Sequence, residues 1–198
     1  MLFRVNEIGL FQKEKKDIVK FNDEINFISG ESSTGKSSIG AIINYCLGSS
    51  KNIPGAKIAN DPDVFIINLT IDVHHILIAR NKFNAIELKG EKYIFLKKVK
   101  DNFSLSDIDI SFFNDNKSEY FTKDDFIELE IPKYFSSFPP KTRLDGKEMV
   151  RPTVRNMPPF IFQVQDTIKN QSHLFYQMSG VKSKGIKRDF ELFLGLVD

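Results

Sequence analysis

The sequence predicts an α/β fold in which an apolar strand, an anion-cradling loop and a helix follow one another. An antiparallel β-subdomain stands beside them, and an arm is inserted later in the chain. Three observations predict it. Within "ISGESSTGKSSIG", residues 30–37 read G-x-x-x-x-G-K-S, the spacing of a P-loop. The pattern lies between an apolar alternation, Ile25, Phe27 and the adjoining Ile28, and a helical run from Ser38 to Leu47, which is the strand, loop and helix setting that a P-loop NTPase requires. Downstream, "VFIINLTIDV" and "HILIAR" are β-rich, break near Asp72 to His75, and lead on to "EKYIFLKKV" as a continuing meander.

The loop carries the most specific chemistry. Successive backbone N–H groups around residues 33–38 are expected to line a concavity for oxyanions, and a helix starting near Lys36 adds the positive end of its dipole. Gly30 and Gly35 let the backbone turn tightly, with Ser33 and Thr34 between them. Lys36 is placed to reach the β- and γ-phosphates, Ser37 to offer its hydroxyl to Mg²⁺, and Ser38 to reach the α-phosphate. The implied ligands are ATP and Mg²⁺. A glycine-rich turn that binds nothing is the plain alternative.

Composition sets wide bounds. A chain of 198 residues with 41% hydrophobic content can bury one substantial core, as one domain or two small ones. A formal charge of +2 neither marks nor excludes a nucleic-acid surface, because a local basic patch vanishes in a sum. Cys46 is the sole cysteine, so no intramolecular disulfide forms. Among Ile39, Ile42, Ile43 and Leu47 it reads as a buried small hydrophobe and not as a reactive thiol. The opening "MLFRVNEIGLF" alternates and carries Arg4 and Glu7, which suits a strand and lacks a signal peptide's apolar core. No run is long enough to span a membrane, and a cytoplasmic protein is expected.

Three regions follow along the chain. Residues 1–96 hold the loop and the β-rich part, residues 97–152 an inserted arm or variable segment, and residues 153–198 a further strand and terminal helices. Within the arm, "DNFSLSDIDISFFNDN" is polar and alternating, and short strands or a turn-rich arm are expected. "TKDDFIELEI" places Thr122 three residues before Asp125, a capping box for a short helix. "FPPKTRLDGKEMVRP" breaks regular structure. After Pro158 and Pro159, "FIFQVQ" reads as a buried strand, and the last residues as a helix with Ile186, Phe190, Phe193 and Val197 on one stripe, interrupted by Gly195.

A P-loop enzyme that hydrolyses ATP also needs an acid at the end of a buried strand for Mg²⁺ and a group to orient water. Asp72, closing "FIINLTID", is the candidate acid, although Asn68 and Thr70 alternate with the apolar residues as in a half-exposed strand. "NKFN" at residues 81–84 lacks the Asp of a guanine-selecting N-K-x-D. Arg80 is either a solvated strand-end charge or a functional cation, and Arg151 and Arg155 are weaker candidates of the same kind. His74 and His75 are adjacent and point to opposite faces of a strand, and His173 has no partner pattern, so no metal is expected beyond the Mg²⁺ brought by ATP.

Taken together, "GESSTGKSSI", the β-rich stretch ending "ILIARN", and "FIFQVQD" resemble the N-terminal lobe of an ABC-type ATPase head of the SMC and RecN kind. More narrowly, "TGKSSIGAIINYCLGSSKNIPGAKI" with "PFIFQVQDTIKNQSHLFY" is similar to a group of bacterial SMC-like ATP-binding proteins with associations to mobile elements and phage defence. The two blocks cover about half of the chain. The resemblance implies that Gln165, with Gln163 as the fallback, is the Q-loop glutamine that senses Mg²⁺ and the γ-phosphate, and that Lys36 and Gln165 are the catalytic groups present. It implies a missing lobe bearing the signature sequence and Walker B acid, homodimerisation through the heads, and action on DNA in repair, genome maintenance or anti-phage defence. Since no L-S-G-G-Q-like run occurs, the sequence is expected to be the first half of a larger protein with little ATPase activity alone. An ATP-gated regulatory subunit and a P-loop small-molecule kinase are the alternatives.

Overall fold

The computed structural model describes residues 3–13, 15–23, 25–31, 35–49, 62–81, 93–135, 142–144, 148–150 and 153–156. Its centre is a six-stranded sheet in the order β2-β1-β3-β4-β5-β6. The strands are β1 (Phe3–Phe11), β2 (Lys16–Lys20), β3 (Val64–Ile71), β4 (His74–Asn81), β5 (Tyr93–Val99) and β6 (Tyr120–Thr122). A separate two-stranded ribbon pairs β7 (Thr142–Leu144) with β8 (Glu148–Val150).

Every neighbouring pair in the large sheet is antiparallel. This corrects the expected α/β P-loop NTPase fold of an ABC-ATPase head lobe. Among the described residues the protein is mostly β, with few helices and no parallel pair. The physical reason lies in the connections. β3 and β4 are joined by the two residues Asp72 and Val73, with Ile71 paired to His74, and so short a link permits only an antiparallel hairpin. Asp72 takes the left-handed conformation at φ 50°, which a short polar side chain tolerates. The apolar alternation before the loop does not join the sheet either. Residues 25–31 form no strand, and Ile25 and Phe27 are 81% and 92% exposed. Alternation supplies a strand's pattern; pairing needs a partner as well.

β3 reads "VFIINLTI" and is buried along its whole length, so both faces of the sheet need cover. On one face lies α1 (Lys36–Cys46), which presents Ile42, Ile43 and Cys46 to Phe65, Ile67 and Leu69. Beside it a helical stretch begins as α3 (Lys123–Asp125), widens into a π turn over Phe126–Glu130 and tightens to a 3₁₀ turn over Ile131–Tyr134. It adds Phe126, Ile127, Ile131 and Phe135 to the same core, together with Val154. Its start is the expected cap: Thr122 Oγ1 accepts the Asp125 N–H at 3.2 Å and donates to Asp125 Oδ2 at 2.6 Å.

The other face is covered by residues 103–113. There, of the expected short strands or turn-rich arm, the chain takes the turns: a 3₁₀ turn at Leu105–Asp107 and a helix, α2 (Ile110–Asp115), because Ser104 and Asp109 cap them through their side chains. Such caps satisfy helix-terminal N–H groups that a strand would have paired. Leu105, Ile108 and Phe113 bury against Phe11, Ile66, Leu77 and Phe95. Phe95 is the hub, with edge-on contacts to Phe113 at 5.0 Å and Tyr120 at 5.2 Å.

One buried carboxylate ties this second layer down. A bulge in β1 between Val5 and Glu7 turns Glu7 inward, where it is 6% exposed. Glu7 Oε2 accepts from the Leu105 N–H at 2.8 Å and Asn68 Nδ2 at 3.2 Å. Oε1 accepts from Ser104 Oγ at 2.9 Å and lies 3.2 Å from Lys20 Nζ. Burial pushes the carboxyl's pKa up, but the Leu105 amide, Asn68, Ser104 and Lys20 together outweigh it, and the pKa falls below the ordinary value. A carboxyl depressed in the native state binds fewer protons there than when unfolded, so its contribution is present above the ordinary carboxylate range and lost as pH falls through the native value. Glu7→Gln is therefore expected to flatten the acid limb of stability against pH, measured by urea unfolding from neutral pH down through the carboxylate range. An acid limb identical to wild type would rule out Glu7 as a source of it.

Candidate functional site

The loop and α1 are arranged by two glycines. Gly35 is the N-cap of α1 at φ 85°, ψ 4°, a left-handed conformation in which a side chain is strained. Among the described residues a Cβ added at Gly35 would meet nothing within 4 Å, so the demand is on backbone conformation. At the other end Gly48, φ 92°, follows the helix. The Ser49 N–H donates to Asn44 O at 2.9 Å and the Gly48 N–H to Tyr45 O at 3.0 Å, the paired bonds of a Schellman stop.

Charge at the two ends of α1 is uneven. Its first turn holds no acidic residue and its last turn no basic one. The positive end of the helix dipole is thus not offset by a carboxylate of its own first turn, a favourable setting for an anion. Lys36 does not extend away from the loop. Its Nζ donates to Gly30 O at 2.8 Å and to Glu31 O, so the ammonium rests on the loop's own carbonyls. The Ser38 N–H donates to Gly35 O at 2.9 Å, so this amide is engaged within the first turn instead of opening into the cradle.

The C-terminal end of α1 is held by a residue from the sheet. Arg80, 3% exposed, donates from Nη1 to Tyr45 O at 2.9 Å and to Ser49 O at 2.7 Å. Its guanidinium lies 4.2 Å from the centroid of the Tyr45 ring, and the Tyr45 hydroxyl donates to Asn81 O at 2.7 Å. A buried cation at a helix C-terminus contributes up to about 2 kcal/mol. Sequence reasoning singled out Arg80 but left open whether it was a solvated charge; it is a buried one. Tyr45 was missed, since a lone tyrosine at a helix end carries no sequence signal of its partners.

The remaining candidates are dispersed. Asp72 sits in the β3–β4 turn. His74 stacks edge-on against Tyr134 at 5.7 Å, while His75 Nε2 is 4.0 Å from Asp101 Oδ1, so the two adjacent histidines meet different partners. Arg155 lies exposed in the 3₁₀ turn Val154–Asn156. Cys46 is fully buried and burial pushes its thiol pKa up, as suits a packing residue. Ser33, Thr34, Arg151, Gln163, Gln165, His173, Ile186, Phe190, Phe193 and Val197 lie outside the described residues. Among the described residues no three His, Cys, Asp or Glu side chains gather as a metal site, and no helix is long and apolar enough to cross a membrane.

A scan against protein-family models finds no match, and a search of curated proteins finds no similar sequence. Neither comparison identifies an SMC-type ATPase.

The left-handed N-cap gives a direct test of the loop. Gly35→Ala is expected to cost roughly 1 kcal/mol or more of unfolding free energy, because the left-handed conformation and not a steric contact is at stake. Gly35→Asn should cost less. Equal stability of the alanine variant and wild type in guanidinium titrations would show that residue 35 is not left-handed.

Proposed function

We propose that this chain binds ATP with Mg²⁺ through residues 30–38, as the loop-bearing part of an SMC-like ATPase assembly that acts on DNA. The observation that carries the reading is the run G-x-x-x-x-G-K-S ending on the N-terminus of α1, with a left-handed Gly35 and no acid in the first turn. This reading rests on local chemistry, since an anion site needs only a turn of backbone amides and a helix end. It does not draw on a parallel sheet.

In this assignment Gly30, Ser33, Thr34 and Gly35 shape the cradle and Ser38 stands at the α-phosphate. Lys36 exchanges the carbonyls of Gly30 and Glu31 for the β- and γ-phosphates. Three N–H donors on a flexible stem suit it to that exchange. Ser37 is the Mg²⁺ ligand, and Gln165 is assigned the sensing of Mg²⁺ and γ-phosphate. Transfer of the phosphoryl group to water needs a positioned nucleophile and further charge stabilisation. Those groups are assigned to a C-terminal lobe with signature and Walker B residues and to a second copy of the protein, with ATP held between heads. DNA repair, genome maintenance and anti-phage defence are the processes in view.

Calorimetric titration of ATP and Mg²⁺ tests the site. Wild type is expected to bind, and Lys36→Ala to bind about ten- to a hundredfold more weakly, the worth of one charge-assisted contact. Failure of wild type to bind, or unchanged affinity in a folded Lys36→Ala variant, would sink the reading. Steady-state turnover by this chain alone is expected at background. Turnover abolished by Asp72→Asn would instead make Asp72 the catalytic acid.

A further inference from the structure

We infer that Arg80 is a positioning residue for the anion site: by clamping the C-terminal end of α1 to β4, it sets where the other end of the helix presents Gly35 and Lys36. The inference rests on the phosphate reading of the loop.

The helix is gripped unequally along its length. Ile42, Ile43, Tyr45 and Cys46 are buried, whereas Lys36, Ser38, Ile39, Gly40 and Ala41 are only partly so. An eleven-residue helix is about 16 Å long. It is therefore anchored at one end and carries the loop at the less enclosed end. Small changes of tilt or axial position at the anchor reach the loop undiminished, because a hydrogen-bonded helix moves as a rod.

The anchor is unusually complete. The backbone of Tyr45 accepts from Arg80, its ring lies against the same guanidinium, and its hydroxyl donates to the carbonyl of Asn81. Ser49 O, past the helix stop, takes a second bond from the same Nη1 atom. Two consecutive residues of β4 thus hold one residue of α1 by backbone, ring and hydroxyl, and the rotation of the helix is fixed along with its distance from the sheet. The last turn of α1 contains no basic residue, so Arg80 supplies from the sheet the cation that a helix C-terminus favours. Lysine does not replace it. A planar guanidinium holds a fixed fork of donors and stacks on an aromatic ring, whereas an ammonium is a mobile point charge.

The test uses the whole chain with Arg80→Lys and Arg80→Met, followed by amide NMR without nucleotide and by ATP titration. The amide resonances of Gly35, Lys36 and Ser38 are expected to move in the folded variants, and ATP affinity to fall about tenfold, a usual size for coupling between separated sites. A purely structural Arg80 would lower the melting temperature but leave both readouts of the folded protein at wild-type values, and that result overturns the inference. If neither Arg80 variant folds, Tyr45→Phe removes the hydroxyl's bond to Asn81 O and keeps the ring. Smaller shifts at the same three amides are then expected, and their absence counts against the clamp. Loss of ATP binding in Lys36→Ala with full binding in folded Arg80→Lys would reject the clamp and keep the phosphate site. Wild type that binds no ATP would reject the phosphate site, while the amide shifts still report on the clamp.

Discussion

β3 has no solvent face. Each of its residues from Val64 to Ile71 is buried, and a strand in that position forces two layers onto the sheet, one on each side. Burial of a large aliphatic or aromatic side chain is worth roughly 1.5–3 kcal/mol, and both layers are built to collect it. Ile42, Ile43 and Cys46 of α1 meet Phe65, Ile67 and Leu69 on one side, and Leu105, Ile108 and Phe113 meet Val64 and Ile66 on the other. The place of α1 is a consequence of that demand. Gly35, at the start of α1, inherits its position from a helix whose own position is dictated by the sheet.

Two buried charges locate the layers more exactly than apolar contact can. Apolar packing is non-directional, so it brings a helix to a sheet without choosing its rotation. Glu7 resolves the matter on one face: four donors from β2, β3 and residues 104–105 converge on its two oxygens. Arg80 does so on the other, through carbonyls at the end of α1. Each is an ion taken out of water, which is tolerable only where its hydrogen-bonding capacity is met. Their geometry is specific because a poor fit is so costly.

What the sequence disclosed was largely local. The β-rich runs at β3, β4 and β5 were legible, as were α1 and the Thr122 cap, because period-two and helical patterns and capping residues act within a few positions of one another. Residues 101–116 left short strands and a turn-rich arm both open, because alternation in a polar segment suits strands as well as a capped turn and helix; the side chains of Ser104 and Asp109 decide for the turns. The error was the sheet. Ile25, Phe27 and Ile28 carry a strand's alternation, but pairing is a relation between distant segments, and one sequence does not state it. Glu7 was equally illegible: an acid in an alternating strand reads as solvent-facing until a bulge turns it inward.

The candidate site divides along the same line. The G-x-x-x-x-G-K-S run is local chemistry, and Gly35 is left-handed at the start of α1. The posture of Lys36, turned back on the carbonyls of Gly30 and Glu31, was not readable, because an ammonium on a flexible stem takes the acceptors that the fold brings near it. That posture has an energetic meaning. A phosphate entering the loop exchanges contacts that Lys36 already has, so its net gain is the difference between an ammonium on neutral carbonyls and an ammonium on an anion. An ammonium on a carbonyl is already a charge-assisted bond, and an anionic acceptor adds the attraction between opposite charges. In the proposed phosphate site a multiply charged phosphate group would displace the carbonyls, whereas a neutral ligand offers Lys36 no better partner than the loop itself.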